Sequence, residues 1–378
     1  MKIVIAPDSF KESLSAREAA EAIQQGWQTV FPTDSFALVP MADGGEGTVQ
    51  ALVDATGGHM IHRTVTGPLE APVDAFFGLL GNGKTAVIEM AAAAGLEHIP
   101  PDRRNPLIAT TYGVGELLRA AMDSGAPPQF NGGGGRAPTP GRPPRGEPLG
   151  FRFLDDAHRP LARGGLALSN LAAIDCTHAD PRLAKMRIDI ASDVVNPLLG
   201  EQGAAAVFAP QKGASAAQVQ LLEAAMVRFA AVLKHDCGRD VAAVAGAGAA
   251  GGLGAGALCF LHARIRRGVD VVIEAARLEA QMDRAGLVMT GEGRIDGQTI
   301  FGKTPIGVAR CAQKKGVPVI AFAGSLAPGY ESVYAHGIDV LFPIVSGPVT
   351  LERALEEAAA NLQRSARNAA RLWQIAHP

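Results

Sequence analysis

The sequence is poor in aromatic residues and carries almost no excess of charge. Phe, Trp and Tyr make up 5% of the 378 residues, which leaves little for a surface that stacks nucleic-acid bases. The 35 basic and 37 acidic residues give a net charge of −2, so no strong field attracts nucleic acid or an anionic membrane. We therefore expect a small-molecule ligand, with no nucleic-acid or membrane partner.

Cysteine is also scarce, with four residues at Cys176, Cys237, Cys259 and Cys311. They form no Cys-x-x-Cys pair, which favours a reducing compartment, the cytoplasm, over a disulfide framework or a zinc site. The nine histidines form no His-x-x-x-His motif, so a zinc hydrolase has little support. The apolar part of the N-terminus is too short for a signal peptide and predicts a first strand.

One uncharged stretch, 241–261, has the length of a membrane span and small residues at the spacing of Gly252 and Gly256. It consists mostly of Gly and Ala, whose transfer into lipid is only weakly favourable. We expect a buried glycine-rich loop followed by a helix instead of a transmembrane helix.

Short β-rich runs alternate with helical patterns, which indicates an α/β fold with parallel strands. Ser15, with Glu18 three residues on, predicts the capped start of a helix that ends near Val30, and a last helix is expected over about 351–373. The predicted strands are Lys2–Ala6, Phe36–Val39, Thr85–Met90, Arg187–Ala191, Ala204–Phe208, Leu287–Thr290, Pro318–Ala323 and Val340–Pro343.

A stretch rich in glycine and acids, Met41–Thr48, stands between a predicted strand and a helical pattern. Glycines let the backbone approach a ligand closely, and a helix N-terminus favours anions. Taken alone, the stretch fits equally well a tight turn with no ligand. Similar polar or glycine-rich segments follow other apolar runs, at 7–13, 191–197, 210–213, 245–256, 290–296 and 324–325.

These segments offer carboxylates, a few cations and glycine-rich turns. Phosphoryl transfer needs this set, because its catalysis is mainly positioning and neutralisation of charge. The glycine-rich run 245–256 lacks the Gly-Lys-Ser/Thr ending of a P-loop and is weak evidence alone. Lys11 fits a solvated surface lysine as well as a ligand contact, and Asp193 fits a helix cap as well as a catalytic acid.

Eleven motifs in one order over nearly the whole chain resemble the bacterial glycerate kinases that phosphorylate D-glycerate with ATP. They are Ile5–Ser13, Asp43–Thr48, Asn105–Pro106, Thr110–Glu116, Asp193–Leu198, Gln202–Ala204, Pro210–Gly213, Gly246–Gly252, Gly291–Asp296, Gly302–Pro305 and Ala323–Ser325. The resemblance implies two unlike α/β domains with the active site in the cleft between them. One is a Rossmann-like three-layer domain from both chain ends (1–62 plus 280–378), and the other is an inserted middle domain (63–279).

The resemblance also implies a kinase that uses ATP and Mg²⁺, acts on D-glycerate as a monomer or homodimer, and forms 2-phosphoglycerate in preference to the 3-isomer. Asp193 is the first candidate for the catalytic base and Asp43 the second, with Lys11 assisting. Glu292 and Asp296 are expected to hold Mg²⁺. Expected contacts to substrate or phosphate are Ser9, Gly44, Gly45, Glu46, Gly47, Thr48, Lys212, Gly246, Gly248, Gly251, Gly252, Arg294 and Ser325.

Segment 127–150 departs from the family, which has an apolar strand and a Gly-Gly-Ser-Ala-Thr-Asn-Asp-Gly-Gly-like loop here. Its seven prolines and seven glycines predict neither a central strand nor the helix that should follow. Two explanations stand: compensating reading-frame shifts, or a genuine disordered insert. The alternative function is accordingly a catalytically impaired or non-catalytic ligand-binding relative. A dinucleotide-dependent oxidoreductase is disfavoured, because Pro7–Lys11 stands where Gly-x-Gly-x-x-Gly would follow strand one.

Overall fold

The computed structural model describes residues 1–125, the backbone of 128–131, and residues 148–377. Its strands are β1 (Lys2–Ile5), β2 (Ser35–Leu38), β3 (His59–Thr66), β4 (Pro72–Leu79), β5 (Ala86–Glu89), β6 (Pro128–Asn131), β7 (Arg152–Leu154), β8 (Ala173–Asp175), β9 (Asp189–Ala191), β10 (Arg264–Arg266), β11 (Leu287–Ile295), β12 (Val319–Leu326) and β13 (Val340–Pro343). Its helices are α1 (Ala16–Gln28), α2 (Thr48–Thr56), α3 (Met90–Ala94), α4 (Tyr112–Asp123), α5 (Ala204–Phe208), α6 (Ala216–Cys237), α7 (Leu253–Phe260), α8 (Gly268–Ala275), α9 (Leu278–Gln281), α10 (Thr304–Lys315), α11 (Leu351–Glu356) and α12 (Ala358–Ala376).

Contacts divide the chain into two units. Unit 1 comprises Met1–Asp43, Gln50–Gly58 and Val269–Pro378, and unit 2 comprises Gly44–Val49 and His59–Gly268. The α/β fold class predicted from the alternating pattern is confirmed.

Unit 1 contains a parallel sheet in the order β13-β12-β11-β1-β2. Ile3 and Ile5 pack on one face with Ile23 of α1 and Leu362 of α12, and the alternate residue Val4 is fully buried. Strands buried on both faces read as continuous apolar runs, which is why the sequence revealed them. The predicted capping box of α1 is confirmed: the Ser15 hydroxyl accepts from the Glu18 N–H, and Glu18 accepts from the Ser15 N–H.

Unit 2 contains a mixed sheet in the order β10-β9-β6-β5-β4-β3. Strands β5, β6, β9 and β10 pair in parallel, whereas β3 and β4 form an antiparallel hairpin that continues to β5. Strands β7 and β8 form a separate antiparallel pair. The hairpin has one largely exposed strand, β3, so it lacks the apolar run by which the other strands were found.

Two strand predictions were wrong. Ala204–Phe208 is helix α5, because an Ala-Ala-Ala start after Gly203 favours helix. Lys212 therefore follows a helix and a short 3-10 turn, Pro210–Lys212, instead of a strand.

The second wrong prediction concerns 127–150, where a central strand was not expected. Residues 128–131 form β6 between β5 and β9. Pro128 is the first residue of that strand, a position that tolerates proline. The sequence also predicts that no helix follows this strand. The residues concerned, 132–147, lie outside the part of the chain that the structure describes.

One helix differs from its predicted extent. The last predicted helix is two, α11 and α12, which are separated at Glu357. Among the described residues, α6 has the length and composition of a membrane-crossing helix. It buries Leu222, Met226 and Phe229 in unit 2, as core helices do. The stretch 241–261 forms a loop and helix α7, as expected.

Candidate active site

The carboxyl ends of the parallel strands in unit 1 bring several ionisable side chains to one edge of the sheet. The chain after β1 continues between its neighbours: the Asp8 N–H donates to the Gly291 carbonyl (2.8 Å), and the Met41 N–H donates to the Pro7 carbonyl (2.9 Å). Asp8 is thereby fixed between β11 and the segment that leads to Asp43. Sequence reasoning quoted Asp8 within a motif but gave it no role; its position directly after a strand was the available signal.

The Asp8 carboxylate is half-buried and accepts hydrogen bonds on both of its oxygens. Its Oδ1 accepts from the Ser9 N–H (2.6 Å), and its Oδ2 accepts from the hydroxyl of Thr304, the first residue of α10. Burial and the nearby Asp43 together raise the pKa of Asp8 to about 6, although the hydrogen bonds from Thr304 and Ser9 act to lower it. A group in this state favours a cation or a proton beside it.

A second carboxylate at this edge is that of Glu292 of β11, which is buried. Its Oε1 accepts from the Thr299 hydroxyl (3.0 Å) and from Lys303 Nζ (3.3 Å). Burial raises the pKa of Glu292 to about 7, and Asp8 adds to that rise, whereas Lys303 and Thr299 oppose it. Asp8 and Glu292 are therefore close enough to repel each other, although 284 residues of sequence separate them. Lys303 and Thr304 were missed as site residues.

Asp296, the other predicted metal ligand, has different partners. Its Oδ2 lies 3.3 Å from Arg294 Nε, and its Oδ1 accepts from the Gln298 N–H (2.9 Å). The Thr299 hydroxyl accepts from the Asp296 N–H (3.1 Å) while donating to Glu292, so one hydroxyl links the two acids. The carboxylate whose charge raises the pKa of Glu292 is that of Asp8.

The other predicted residues of unit 1 lie around the same edge. Ser9 binds Asp8, and Arg294 is paired in register with Ser325 on β12. Ser325 and Lys11 are exposed. A side chain at Gly293 would come within 3.3 Å of the Lys11 amide nitrogen, so glycine there allows the two segments to lie in contact.

In unit 2, the stretch from Gly44 to Thr48 is fastened by a carboxylate that the sequence reasoning missed. The Gly47 N–H donates to Glu89 Oε1 (3.1 Å), and the Val49 N–H also binds Glu89. Burial raises the pKa of Glu89 to about 7, against the lowering effect of these two N–H groups. The amides expected to cradle an anion thus already serve an internal one. Glu89 is the penultimate residue of the predicted strand Thr85–Met90, and a carboxylate at that place was the signal available.

Gly44 shows why this turn needs glycine. Its φ is +93°, and a Cβ would lie 2.6 Å from the Gly268 Cα, at the start of α8. Asp193, after β9, is exposed and accepts the N–H of Gly268, the first residue of α8, on Oδ1 (3.1 Å), as the helix-cap interpretation expects.

Lys212 is the one predicted site residue of unit 2 that is both charged and deeply buried, with 3% exposure. Its ammonium lies 5.7 Å from the centre of the Phe208 ring. It makes no ion pair or hydrogen bond with the residues that the structure describes. Burial lowers the pKa of Lys212 to about 7. An anionic ligand would restore the charged form.

The glycine-rich turn 246–252 packs against the segment after β9. The Gly248 N–H donates to the Asn196 carbonyl (3.0 Å), and a Cβ at Gly248 would lie 2.2 Å from the Pro197 carbonyl oxygen. Gly251 and Gly252 have positive φ, and Gly252 caps the start of α7. The remaining predicted contacts in unit 2, Gly45 and Glu46, lie in the turn before α2.

Mg²⁺ commonly takes one or two carboxylates, with water and phosphate oxygens as its other ligands. Within the described ranges, no three His, Cys, Asp or Glu residues are arranged to hold a metal ion by themselves. Asp8, half-buried, and Glu292, buried, supply two carboxylates whose mutual repulsion a cation would relieve, so the donor set fits Mg²⁺ bound together with a phosphate.

The chain matches the model of the glycerate kinase family over residues 3–374. It is 53% identical to the glycerate kinase of Bacillus subtilis (strain 168), covering 100% of this chain and 98% of that one. It is 47% identical to the glycerate 2-kinase of Escherichia coli (strain K12), covering 98% and 97%.

A crystal structure assigned to glycerate kinase 2 of Salmonella typhimurium LT2 superposes with a TM-score of 0.87 at 44% identity. The match covers 100% of this chain and 99% of that one. Similarity over the full length gives no support to the non-catalytic alternative. The chain belongs to the glycerate kinase family, whose members are phosphotransferases.

Proposed function

We propose that the protein transfers the γ-phosphoryl group of ATP to a hydroxyl of D-glycerate, with Mg²⁺, and that 2-phosphoglycerate is the product in preference to the 3-isomer. The 47% identity to a glycerate 2-kinase supports the position of transfer. The observation that carries the proposal is the pair of neighbouring carboxylates, Asp8 and Glu292, beside Lys303 at the carboxyl edge of a parallel sheet.

Asp8 and Glu292 would hold Mg²⁺, with Asp296 contributing directly or through water. When bound, the ion neutralises charge on the phosphate oxygens. In its absence, Lys303 and the Thr304 hydroxyl occupy oxygens of Glu292 and Asp8. The Lys303 side chain is long and partly exposed, so its ammonium can turn from Glu292 toward a phosphate.

Cations and helix N-termini would neutralise the anionic groups of both substrates. In unit 1 these groups are Lys11, Arg294, Lys303 and the first turn of α10. Pro305, at position N2 of that helix, has no N–H to donate, so the Lys303 ammonium would contribute more to the neutralisation than the helix N-terminus. In unit 2 Lys212 would pair with a carboxylate or phosphate of a substrate. The backbone of the turns at Gly44–Thr48 and Gly246–Gly252 would lie close to that anionic group.

Asp193 is our first choice for the base that accepts the glycerate hydroxyl proton on a carboxylate oxygen, and Asp43 is the second. The Gly268 N–H fixes the Asp193 carboxylate through Oδ1, as a positioned base requires. Asp193→Asn and Asp43→Asn, assayed side by side, rank the two. The base is the residue whose loss lowers kcat by about 10²–10⁴-fold. Near-normal kcat in Asp193→Asn overturns the first choice.

The function is tested by following ADP release in the presence of ATP, D-glycerate and Mg²⁺. We expect release that requires all three, with no release when L-glycerate replaces D-glycerate. Phosphorus NMR of the product, with its coupling to the C2 or C3 proton, identifies the hydroxyl. ADP release that is independent of D-glycerate would refute the proposal.

We place the protein in the cytoplasm, since its four cysteines are free thiols and ATP is its expected phosphate donor. We also propose that it acts as a monomer or homodimer. Sedimentation velocity at assay concentrations measures this state.

A further inference from the structure

The side chain of Arg104 has a buried donor that nothing in the described part of the chain satisfies. Arg104 is half-buried, and its Nε is enclosed by protein without a hydrogen-bond acceptor. The guanidinium also forms no ion pair with the residues that the structure describes. Buried donors in folded proteins almost always have a partner, so an orphaned one indicates where a ligand supplies the missing oxygen.

The backbone around Arg104 is held by its neighbours, so the side chain starts from a fixed position. Asn105 closes the turn that follows, because its Oδ1 accepts from the Leu107 N–H (3.0 Å). Leu107 packs against a small apolar cluster of α5 and α6. An arginine on a fixed backbone loses less conformational freedom on binding a ligand than one on a mobile loop.

The same segment lies in contact with the turn that carries Lys212. A Cβ built on Gly213, whose φ is +89°, would stand 3.6 Å from the Arg104 carbonyl oxygen. Lys212 is 3% exposed and, like Arg104, has no hydrogen bond or ion pair with the described residues. Burial alone lowers the pKa of Lys212, so the Arg104 charge does not press closely on it. Adjacent segments of unit 2 therefore supply two unpartnered cations, far enough apart to bind different groups of one ligand.

The proposed reaction has two anionic groups for these cations. The contacts proposed for Mg²⁺ and ATP, two carboxylates and Lys303, belong to unit 1, whereas Asp193, the first choice for the base, belongs to unit 2. In D-glycerate the carboxylate is attached to the carbon that bears the reacting hydroxyl, so it also needs a cation from unit 2. The planar guanidinium matches a carboxylate with two parallel hydrogen bonds, and a compact ammonium suits a phosphoryl oxygen.

We propose that Arg104 is a substrate-binding residue whose guanidinium binds the carboxylate of D-glycerate, while Lys212 contacts the phosphoryl group that the hydroxyl receives. This assignment rests on the function proposed above and names the contact that selects its acceptor. Arg104 thereby favours a 2-hydroxy acid over an uncharged polyol of similar size. Glycerol, which has a hydroxyl in place of the carboxylate, offers the buried guanidinium no charge to pair with.

Steady-state kinetics of Arg104→Met tests the contact. KM for D-glycerate should rise at least about tenfold, because a charge-assisted hydrogen bond is lost. The carboxylate is bound alike before and during transfer, so kcat should stay within about fivefold and KM for ATP within about twofold. Arg103→Met, at the exposed neighbour, is the matched control and should behave as wild type. An unchanged KM for D-glycerate, or a larger rise in KM for ATP, would overturn the assignment.

Unfolding separates binding from a structural role. Without substrate, Arg104→Met should be at least as stable to urea as wild type, because it removes an unpartnered buried donor. Added D-glycerate should raise the unfolding midpoint of wild type and leave that of Arg104→Met unchanged. Arg104→Lys should recover part of the affinity, since it keeps the charge but not the fork. A loss of stability in Arg104→Met without substrate would show that the protein itself satisfies Arg104, and would overturn the proposal.

Wild type in the same assay keeps this inference apart from the proposed function. If wild type releases no ADP with D-glycerate, the function is refuted and the contact with it. If wild type turns over and the ratio of kcat/KM for D-glycerate to that for glycerol is the same in Arg104→Met, the contact alone is refuted. We expect that ratio to fall at least about tenfold in the variant.

Discussion

Glu292 in unit 1 and Glu89 in unit 2 are both buried glutamates of strands whose pKa burial raises to about 7. Their partners differ. Side chains, Lys303 and Thr299, bind Glu292, whereas backbone N–H groups of Gly47 and Val49 bind Glu89. A side-chain donor can turn to a ligand at little cost, but a backbone donor cannot leave without moving the chain. The comparison therefore distinguishes Glu292, whose carboxylate can be released to bind a ligand, from Glu89, whose carboxylate holds a turn of the backbone in place.

The strongest test of this difference applies the same substitution to both residues. Glu292→Gln should lower kcat at least about 100-fold, since it removes charge at the proposed phosphoryl-transfer site. Glu89→Gln should keep kcat within a few-fold, because an amide oxygen can still accept the Gly47 N–H. Steady-state kinetics of both variants, with circular dichroism to verify folding, makes the measurement. A larger loss in Glu89→Gln would reverse our assignment.

Lys212 extends the comparison to a buried cation. Its pKa of about 7, against 10.5 unfolded, means that the unfolded chain binds more protons between these pH values. Wild-type stability should therefore rise with pH across that window. Lys212→Met should lack this rise and be more stable near pH 7, by up to a few kcal/mol, while KM for an anionic substrate increases about tenfold or more. Urea unfolding between pH 7 and 10 measures the stability.

The opposite results for Lys212 would be equally informative. A variant less stable than wild type near pH 7 would show that the ammonium is stabilised by a partner. Lys212→Arg serves as a control that keeps the charge but not the shape of the ammonium.

The smallest expected effect concerns Glu89 and pH. Its folded pKa of about 7 exceeds the ordinary value of 4.5, so the folded state binds more protons between these values and stability falls as pH rises through that window. Glu89→Gln should remove a part of this fall, on the order of 1–3 kcal/mol. Urea unfolding at pH 4.5 and 7.5 measures it, with Glu201→Gln, at an exposed residue of the same unit, as the control. An unchanged slope in Glu89→Gln would show that its pKa is not raised.

Much of unit 1 was predictable from sequence because its central strands are buried on both faces and read as apolar runs. The β3–β4 hairpin was missed because its exposed face interrupts that pattern. Ala204–Phe208 was misread because a short apolar run suits helix and strand alike. The proline content of 127–150 hid β6, where proline occupies only the first position.

The candidate site was predictable to the level of its loops. Chemistry-bearing segments follow strands, and the carboxyl ends of parallel strands meet, so Glu292 and the turn after β2 could be named. The donors Lys303 and Thr304 could not, since their contacts with Glu292 and Asp8 exist only after β1, β11 and α10 have packed.

The sequence by itself determined the family, the α/β class and the loops that carry the chemistry, because these depend on local order along the chain. Only the tertiary structure decided that Glu292 lies near Asp8 and that Glu89 holds the Gly44–Thr48 turn. The burial of an ionisable group and its distance from other charges depend on residues from distant parts of the chain. Together they set the charge state of that group.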